Sequence, residues 1–229
     1  MKKQRYALIV AAGSGSRMGS KKPKQFLMLG GKPLLMQTLQ QFYAFDPQIQ
    51  LVLVLSDDHR KEWGLLCRKY SFHLPYHVVS GGNNRFQSVR NGLRGLSGEG
   101  LVGIHDGVRP LIDREMLERC YGEASSYGNA IPSIAVMDTV RELFPKGNRM
   151  VDRTSLRLLQ TPQVFSLPLI QRAYSETSRE DFTDDAGVFE QAGHPIRLVE
   201  GNRNNIKITT PADLKLARIL FKEFHYVHC

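Results

Sequence analysis

Short apolar runs alternate with segments of helical periodicity along most of the chain. "YALIVAA" (6–12), "IQLVLVLS" (49–56), "YHVVS" (76–80) and "LVGIHD" (101–106) are aliphatic and β-branched, the pattern of buried strands. Between them the spacing predicts helices over about Pro33–Phe45, Asp58–Tyr70 and Asn84–Leu96. Asp113 stands at an N-cap position ahead of Met116, Leu117, Cys120, Tyr121 and Ala124 at helical spacing. Thr210, Pro211 and Asp213 likewise open a C-terminal helix that carries Leu214, Ala217, Phe221 and Phe224. This alternation predicts an α/β fold, a mostly parallel sheet flanked by helices on both faces.

One region breaks the rhythm. "DTVRELFPKGNRMVDRTSLRLLQTPQVF" (138–165) alternates side-chain types around "PKGN" and predicts a projecting β-arm. A two-stranded arm is marginal alone, so it is expected to pack on a second copy of the chain or to fold back on its own domain. No repeat, low-complexity tract or linker divides residues 1–229, which are expected to form a single domain.

Composition narrows the function classes. Cys67, Cys120 and Cys229 are far apart and form no CxxC pair, which argues against a disulfide framework and a zinc site. No stretch reaches the roughly 20 apolar residues of a membrane span, and the apolar part of "MKKQRYALIV" is too short for a secretory signal, so a cytoplasmic protein without membrane partners is expected. The net charge of +9, from 31 Lys and Arg against 22 Asp and Glu, invites an anionic partner. The cations are spread through predicted loops beside Gly, Ser and Thr rather than gathered on one helix or tail, which favours small phosphorylated ligands over nucleic acid.

The candidate chemistry lies where predicted strands end. "AAGSGSRMGSKKPKQF" (11–26) follows the first strand. Its Gly13, Gly15 and Gly19 let backbone amides approach an anion, and Arg17 and Lys24 can reach a triphosphate. Its spacing is neither GxGxxG nor GxxxxGK[ST]. In "SGGNNRFQSVRNG" (80–92), Gly81 and Gly82 expose backbone and Asn84, Arg85 and Ser88 share one turn of the next helix. Asn83 and Asn84 either bind a base or ribose or only form the turn and cap. In "GIHDGVRP" (103–110), Asp106 can accept a ribose hydroxyl or help hold a metal and Arg109 suits a phosphate, or the two pair with each other; the adjacent His105 reads as structural. Thr139, Arg153, Thr161 and Lys207 sit at strand ends or in the arm, and Asp184 at a helix entry.

Taken in order, "AAGSGSRM", "PKQF", "SGGNNRFQSV", "HDGVRP", "DT", "VDR", "QTPQ", "FTDDAG" and "VEGNRNNIKIT" closely resemble the 2-C-methyl-D-erythritol 4-phosphate cytidylyltransferase family of the nucleotidyltransferase superfamily. The resemblance runs from about Tyr6 to the final helix. It implies a Rossmann-like fold and a reaction of CTP with a polyol phosphate, 2-C-methyl-D-erythritol 4-phosphate, that releases pyrophosphate and requires Mg²⁺. Carried over by position, it implies that Arg17 and Lys24 stabilise the transition state and that Arg153 and Lys207 position the acceptor. Cytidine contacts fall on Ala11, Ala12, Gly13, Gly82, Ser88, Asp106 and Gly107, and acceptor-side positions on Arg109, Thr139 and Thr161. The arm is implied to cross to a second subunit of a homodimer, so that Arg153 serves the partner's site. Asn83 departs from a position where an acidic residue is common, and Gly107 from one where alanine is. Ribitol-5-phosphate cytidylyltransferases share the CTP-side motifs and are the nearest rival; a nucleotide or nucleic-acid binder without turnover is the rival from another class.

Overall fold

The computed structural model describes residues 3–13 and 22–226. Gly15, Arg17, Gly19, Lys21 and Cys229 lie outside these, as does the side chain of Phe224. The elements are β1 (Gln4–Val10), β2 (Met28–Leu29), β3 (Lys32–Pro33), α1 (Leu34–Phe45), β4 (Gln50–Leu55), α2 (Asp57–Lys69), β5 (His77–Ser80), α3 (Arg85–Arg94), β6 (Gly100–Asp106) and α4 (Arg114–Tyr127). They continue with β7 (Asn129–Ala135), β8 (Val140–Phe144), β9 (Gly147–Val151), β10 (Arg157–Leu159), β11 (Gln163–Ser166), α5 (Leu167–Glu176), α6 (Asp185–Gln191), β12 (Leu198–Glu200) and α7 (Pro211–Tyr226).

The main sheet runs β10-β7-β11-β6-β1-β4-β5, with β12 paired to β7. Strands β6, β1, β4 and β5 are mutually parallel, and β11 enters antiparallel between β6 and β7. The chain steps from β1 outward to β4 and β5, then returns across β1 to β6, so the direction of winding reverses between β1 and β6. Open α/β sheets bind ligands at the carboxyl ends of strands flanking such a reversal.

Period-2 alternation sorts each inner strand between two packed faces. Ala7, Ile9, Leu51, Leu53 and Leu55 join Phe26, Phe42, Trp63 and Tyr121 on one side. Leu8, Val52, Val54, Val102 and Ile104 join Phe86, Val89, Phe165 and Phe189 on the other. A third cluster, with Leu29, Ile208, Leu214 and Phe221, ties α7 to the β2–β3 hairpin. Among the described residues no helix is long and apolar enough to cross a membrane.

The arm is shorter than its sequence pattern predicts. β8 pairs with β9 from Val140↔Val151 to Phe144↔Gly147, but β10 returns to the main sheet against β7 and β11 lies in the core, with Val164 and Phe165 at 0% exposure. Alternation of side-chain types is the same in a free ribbon and in a sheet strand, so the pattern carries no mark of where the ribbon ends. The predicted helices form within a residue or two of their expected limits. α3 stops at Arg94, followed by Gly95.

α3 crosses the sheet closely at Gly92, where a Cβ would stand 2.3 Å from Leu8 Cδ1 and 2.9 Å from Val54 Cγ2. Alanine improves helix propensity by about 1 kcal/mol, whereas overpacking costs about 1–3 kcal/mol. Gly92→Ala is therefore expected to lower stability by about 1 kcal/mol net, read as a lower urea midpoint at unchanged m-value.

Candidate active site

Three loops and one strand-like segment meet at the carboxyl ends of β1, β5 and β6. They enclose a cleft of about 400 Å³ whose lining includes Ala11, Ala12, Gly13, Lys24, Gly82, Asn83, Arg85, Ser88, Asp106 and Lys207. The β1 end is fixed from both sides: the Ala11 N–H donates to the Val54 carbonyl at 2.8 Å and the Gly107 N–H to the Val10 carbonyl at 2.9 Å. Pro23 then leads into a 3-10 turn, Lys24–Phe26, that brings Lys24 to the cleft. The side chain of Gln25 is buried beneath it and donates to the Ala11 carbonyl at 2.9 Å.

The loop after β5 is tied to α3 by its own side chains. Asn84 caps α3, accepting from the Gln87 N–H at 2.8 Å. The Ser88 hydroxyl accepts from the Gly82 N–H at 3.0 Å and donates to the Asn84 carbonyl at 2.8 Å, while the Asn83 N–H donates to Gln87 Oε1 at 3.0 Å. A Cβ at Gly81 would stand 2.5 Å from that of Ala12, so the loops after β1 and β5 touch where only hydrogen fits.

Asp106, at the end of β6, is the electrostatic centre. Its carboxylate lies 3.0 Å from Lys207 Nζ, 3.3 Å from Arg109 Nε and 3.9 Å from Arg85 Nε. Burial acts to raise its pKa, but Arg85, Lys207 and Arg109 outweigh it and hold the carboxyl well below the usual carboxylate range. Arg85 is itself fixed by a bidentate pair with the fully buried Asp185, at 2.9 and 2.6 Å, and Tyr174 donates to the same carboxylate at 2.6 Å. Gln163 accepts from the Asp185 and Ala186 N–H groups and donates to Asp184, which caps α6. Arg109 also donates to the Asn205 carbonyl at 2.8 Å, and the Ile208 N–H donates to the Val108 carbonyl at 3.0 Å. Both bonds hold the segment that presents Lys207.

Whole-chain comparison decides among the chemistries such a cleft could serve. The family model described as "IspD: 2-C-methyl-D-erythritol 4-phosphate cytidylyltransferase" matches residues 6–223. The chain belongs to this family. Enzymes of that name from Bacteroides fragilis and Phocaeicola vulgatus are 51% and 49% identical over 216 residues, which cover 94% of this chain and 99% of each relative. The crystal structure of the cytidylyltransferase from Thermus thermophilus superposes with a TM-score of 0.79 at 32% identity, covering 97% of this chain and all of that one. The mostly parallel, helix-flanked sheet is thus that of the family.

Of the positions that the family resemblance singles out, the structure brings Ala11, Ala12, Gly13, Lys24, Gly82, Ser88, Asp106 and Lys207 together around the cleft. Arg17 lies outside the described residues. Gly107, Arg109 and Thr161 stand behind the cleft wall. The Gly107 N–H is spent on Val10 and its carbonyl accepts from Thr38 at 3.1 Å. The Thr161 hydroxyl accepts from the Asp106 N–H at 3.1 Å and lies 3.1 Å from His105 Nδ1. Thr139 and Arg153 are exposed on and beside the hairpin, where Arg153 donates to the Met137 carbonyl, and neither reaches this chain's cleft. The position-by-position reading left out Gln25 and the Arg85–Asp185–Tyr174 group, although Arg85 lies on the polar turn of α3 read from the sequence. Of the two departures, Asn83 lines the cleft, and a Cβ at Gly107 would stand 3.1 Å from both Ala11 Cβ and Leu35 Cδ1.

His105 is fully buried, with Nε2 3.0 Å from the Arg109 carbonyl, so Nε2 carries the proton and Nδ1 accepts from Thr161. Burial lowers its pKa from 6.5 to about 4. The unfolded chain takes up this proton near pH 6.5 and the folded chain only near pH 4. Stability present above pH 6.5 is therefore lost as pH falls through that window, by about 3 kcal/mol. Asp106 adds its own acid-side loss below the ordinary carboxylate range. His105→Gln is expected to flatten the decline between pH 6.5 and 4, measured by urea unfolding at stepped pH.

Proposed function

We propose that the protein is a cytidylyltransferase that joins CTP to 2-C-methyl-D-erythritol 4-phosphate, giving 4-CDP-2-C-methyl-D-erythritol and pyrophosphate. The observation that carries this reading is the convergence of Lys24, Arg85 and Lys207 on one cleft around Asp106, in a chain that matches the family over nearly its whole length. An oxygen of the acceptor phosphate attacks the α-phosphorus of CTP, a new P–O bond forms, and the bond to the bridging oxygen breaks to release pyrophosphate. A phosphate monoester is largely dianionic near neutral pH, with a second pKa of about 6, so no general base is required. His105 fits that scheme, because both ring nitrogens are committed inside the protein.

The demand on the protein is to align two mutually repelling anions and neutralise charge on the equatorial oxygens and the leaving group. Lys24 faces the nucleotide's phosphates, with Arg17 assigned beside it by family position alone. Lys207 serves the acceptor. Asp106 is the one carboxylate among the described residues lining the cleft, and no cluster of three metal-ligating side chains occurs among the described residues. That donor set suits Mg²⁺, which is commonly held by one or two carboxylates together with substrate phosphates. Asp106 would hold the ion, which supplies charge neutralisation to the polyphosphate. The Ala12 and Gly13 backbone, Gly82, Asn83 and Ser88 form the cytidine side.

A homodimer completes the acceptor site in this reading, with Thr139 and Arg153 reaching the partner's cleft. In its support, the hairpin exposes Leu143, Phe144 and Met150 at 80%, 47% and 70%, more apolar surface than an isolated two-stranded ribbon would carry in water.

Incubating the protein with Mg²⁺, CTP and either methylerythritol phosphate or ribitol phosphate tests the assignment. Pyrophosphate is expected with the first acceptor, and release with ribitol phosphate alone overturns the acceptor choice. Lys24→Ala is expected to retain its melting temperature and lose about 100-fold in kcat, the scale of one charge-stabilising contact. Arg153→Ala is expected to raise KM for the acceptor more than for CTP. Mixing Lys24→Ala and Arg153→Ala chains under subunit exchange should restore part of the activity, because one mixed site per dimer then carries both native residues.

A further inference from the structure

Gln25 is an amide buried to 1% exposure directly after Lys24, at a place where an apolar side chain would fill the same volume without desolvating a polar group. Its Nε2 donates to the Ala11 carbonyl at 2.9 Å, lies 3.5 Å from the Gly13 carbonyl and 3.4 Å from His59 Nδ1. The acceptors sit 14 and 12 residues earlier in the chain and on α2, so a single side chain ties together the exit of β1, the 3-10 turn and a helix of the outer layer. In a trans peptide the N–H points opposite the carbonyl. Drawing the Ala11 carbonyl toward Gln25 turns the Ala12 N–H away from it, and Ala12 lines the cleft. The Ala12 and Gly13 N–H groups have no hydrogen-bond partner among the described residues, whereas the Ala11 N–H is already bonded to Val54.

We propose that Gln25 is a positioning residue for cytidylyl transfer: its amide holds the carbonyls of the 11–13 loop inward, so that the loop's N–H donors and the Lys24 ammonium are presented to the nucleotide as one rigid unit. This inference rests on the nucleotidyltransferase reading of the same cleft. It goes beyond that reading by assigning to a buried amide in the cleft's inner wall the spacing between the two nucleotide-side segments. Nothing in it involves the acceptor, whose Lys207 lies in a segment held by separate bonds, from Arg109 to the Asn205 carbonyl and from the Ile208 N–H to the Val108 carbonyl. The expected effect therefore falls on one substrate.

Gln25→Met keeps length and approximate volume, adds no charge and removes both donor hydrogens. It is expected to lower kcat/KM for CTP by about 30- to 100-fold, the scale of an ångström misplacement of a catalytic group. KM for the acceptor should stay within about twofold and the circular dichroism spectrum should be unchanged. Gln25→Glu places a carboxylate against two carbonyls and should be weaker still at pH 8. At pH 5.5 its protonated form regains one O–H donor, and its activity relative to wild type should rise above that of Gln25→Met. CTP affinity measured by calorimetry on the same proteins gives a readout independent of turnover. Failure of the wild type to release pyrophosphate counts against the reaction, whereas loss of CTP affinity in Gln25→Met alone still supports the positioning role. Wild-type CTP parameters in Gln25→Met, or equal losses toward CTP and acceptor, overturn it. If Gln25→Met does not fold, the pH response of Gln25→Glu decides: no recovery at pH 5.5 overturns the proposal.

Discussion

A buried carboxylate surrounded by three cations from three segments holds the active-site end of this fold together. Asp106 closes β6, Arg85 opens α3, Arg109 lies in the turn after β6, and Lys207 comes from the stretch before α7. Unpaired, the Asp106 carboxylate and the Arg109 guanidinium would be costly at this degree of burial. Together they set the loops in register, because three segments meet on one carboxylate whose loss would leave their cations facing one another. Arg85 extends the arrangement to Asp185, whose carboxylate accepts from the Tyr174 hydroxyl and whose N–H donates to the Gln163 side chain. The count of charges also matters for ligands: Arg85, Arg109 and Lys207 exceed Asp106 and Asp185 by one, before Lys24 is added. The cleft is thus positive on balance while its carboxylate stays ionised at any physiological pH, a setting that favours phosphates and still offers an oxygen ligand to a cation.

Local signals in the sequence were sufficient for the inner parallel strands and the helices between them, but not for the β2–β3 hairpin, β7, α5 or β12. Asp113 and Asp184 do cap α4 and α6, and the apolar runs of β1, β4 and β6 are buried on both faces as their composition demands. At two positions left open between a local and a ligand-binding role, the structure shows the local bond. Asn84 is a cap that also lines the cleft, and Asp106 pairs with Arg109 while facing the ligand side. What the sequence hid has a common cause, which is distance along the chain to a partner that leaves no motif. Arg85 meets Asp185 100 residues on, and Gln25 meets carbonyl oxygens, which every residue carries alike. The limits of the hairpin were hidden for a different reason, since period-2 alternation describes β8, β9, β10 and β11 equally well whatever their neighbours.

The distribution of committed and uncommitted polar groups separates framework from working surface. In the cleft wall and behind it, the hydroxyls of Thr161, Ser88 and Thr38, both nitrogens of His105 and the N–H groups of Gly82 and Gly107 are all bonded within the protein. In front, the Ala12 and Gly13 N–H groups have no partner among the described residues, and Lys207 is 38% exposed beside Asp106. Gly107 and Thr161, which family resemblance places among ligand contacts, thus have their N–H, carbonyl and hydroxyl groups committed within the protein. Such a division is what electrostatic catalysis requires: donors aimed at developing charge contribute most when their orientation is fixed before the substrate arrives, since little reorganisation remains to oppose the reaction. A loop rich in glycine has no such fixity of its own. It must be supplied from outside, by buried side chains such as Gln25 and Ser88 whose hydrogen bonds are complete without the nucleotide, and this is why the polar residues with the least exposure in this cleft bear most directly on the geometry of those with the most.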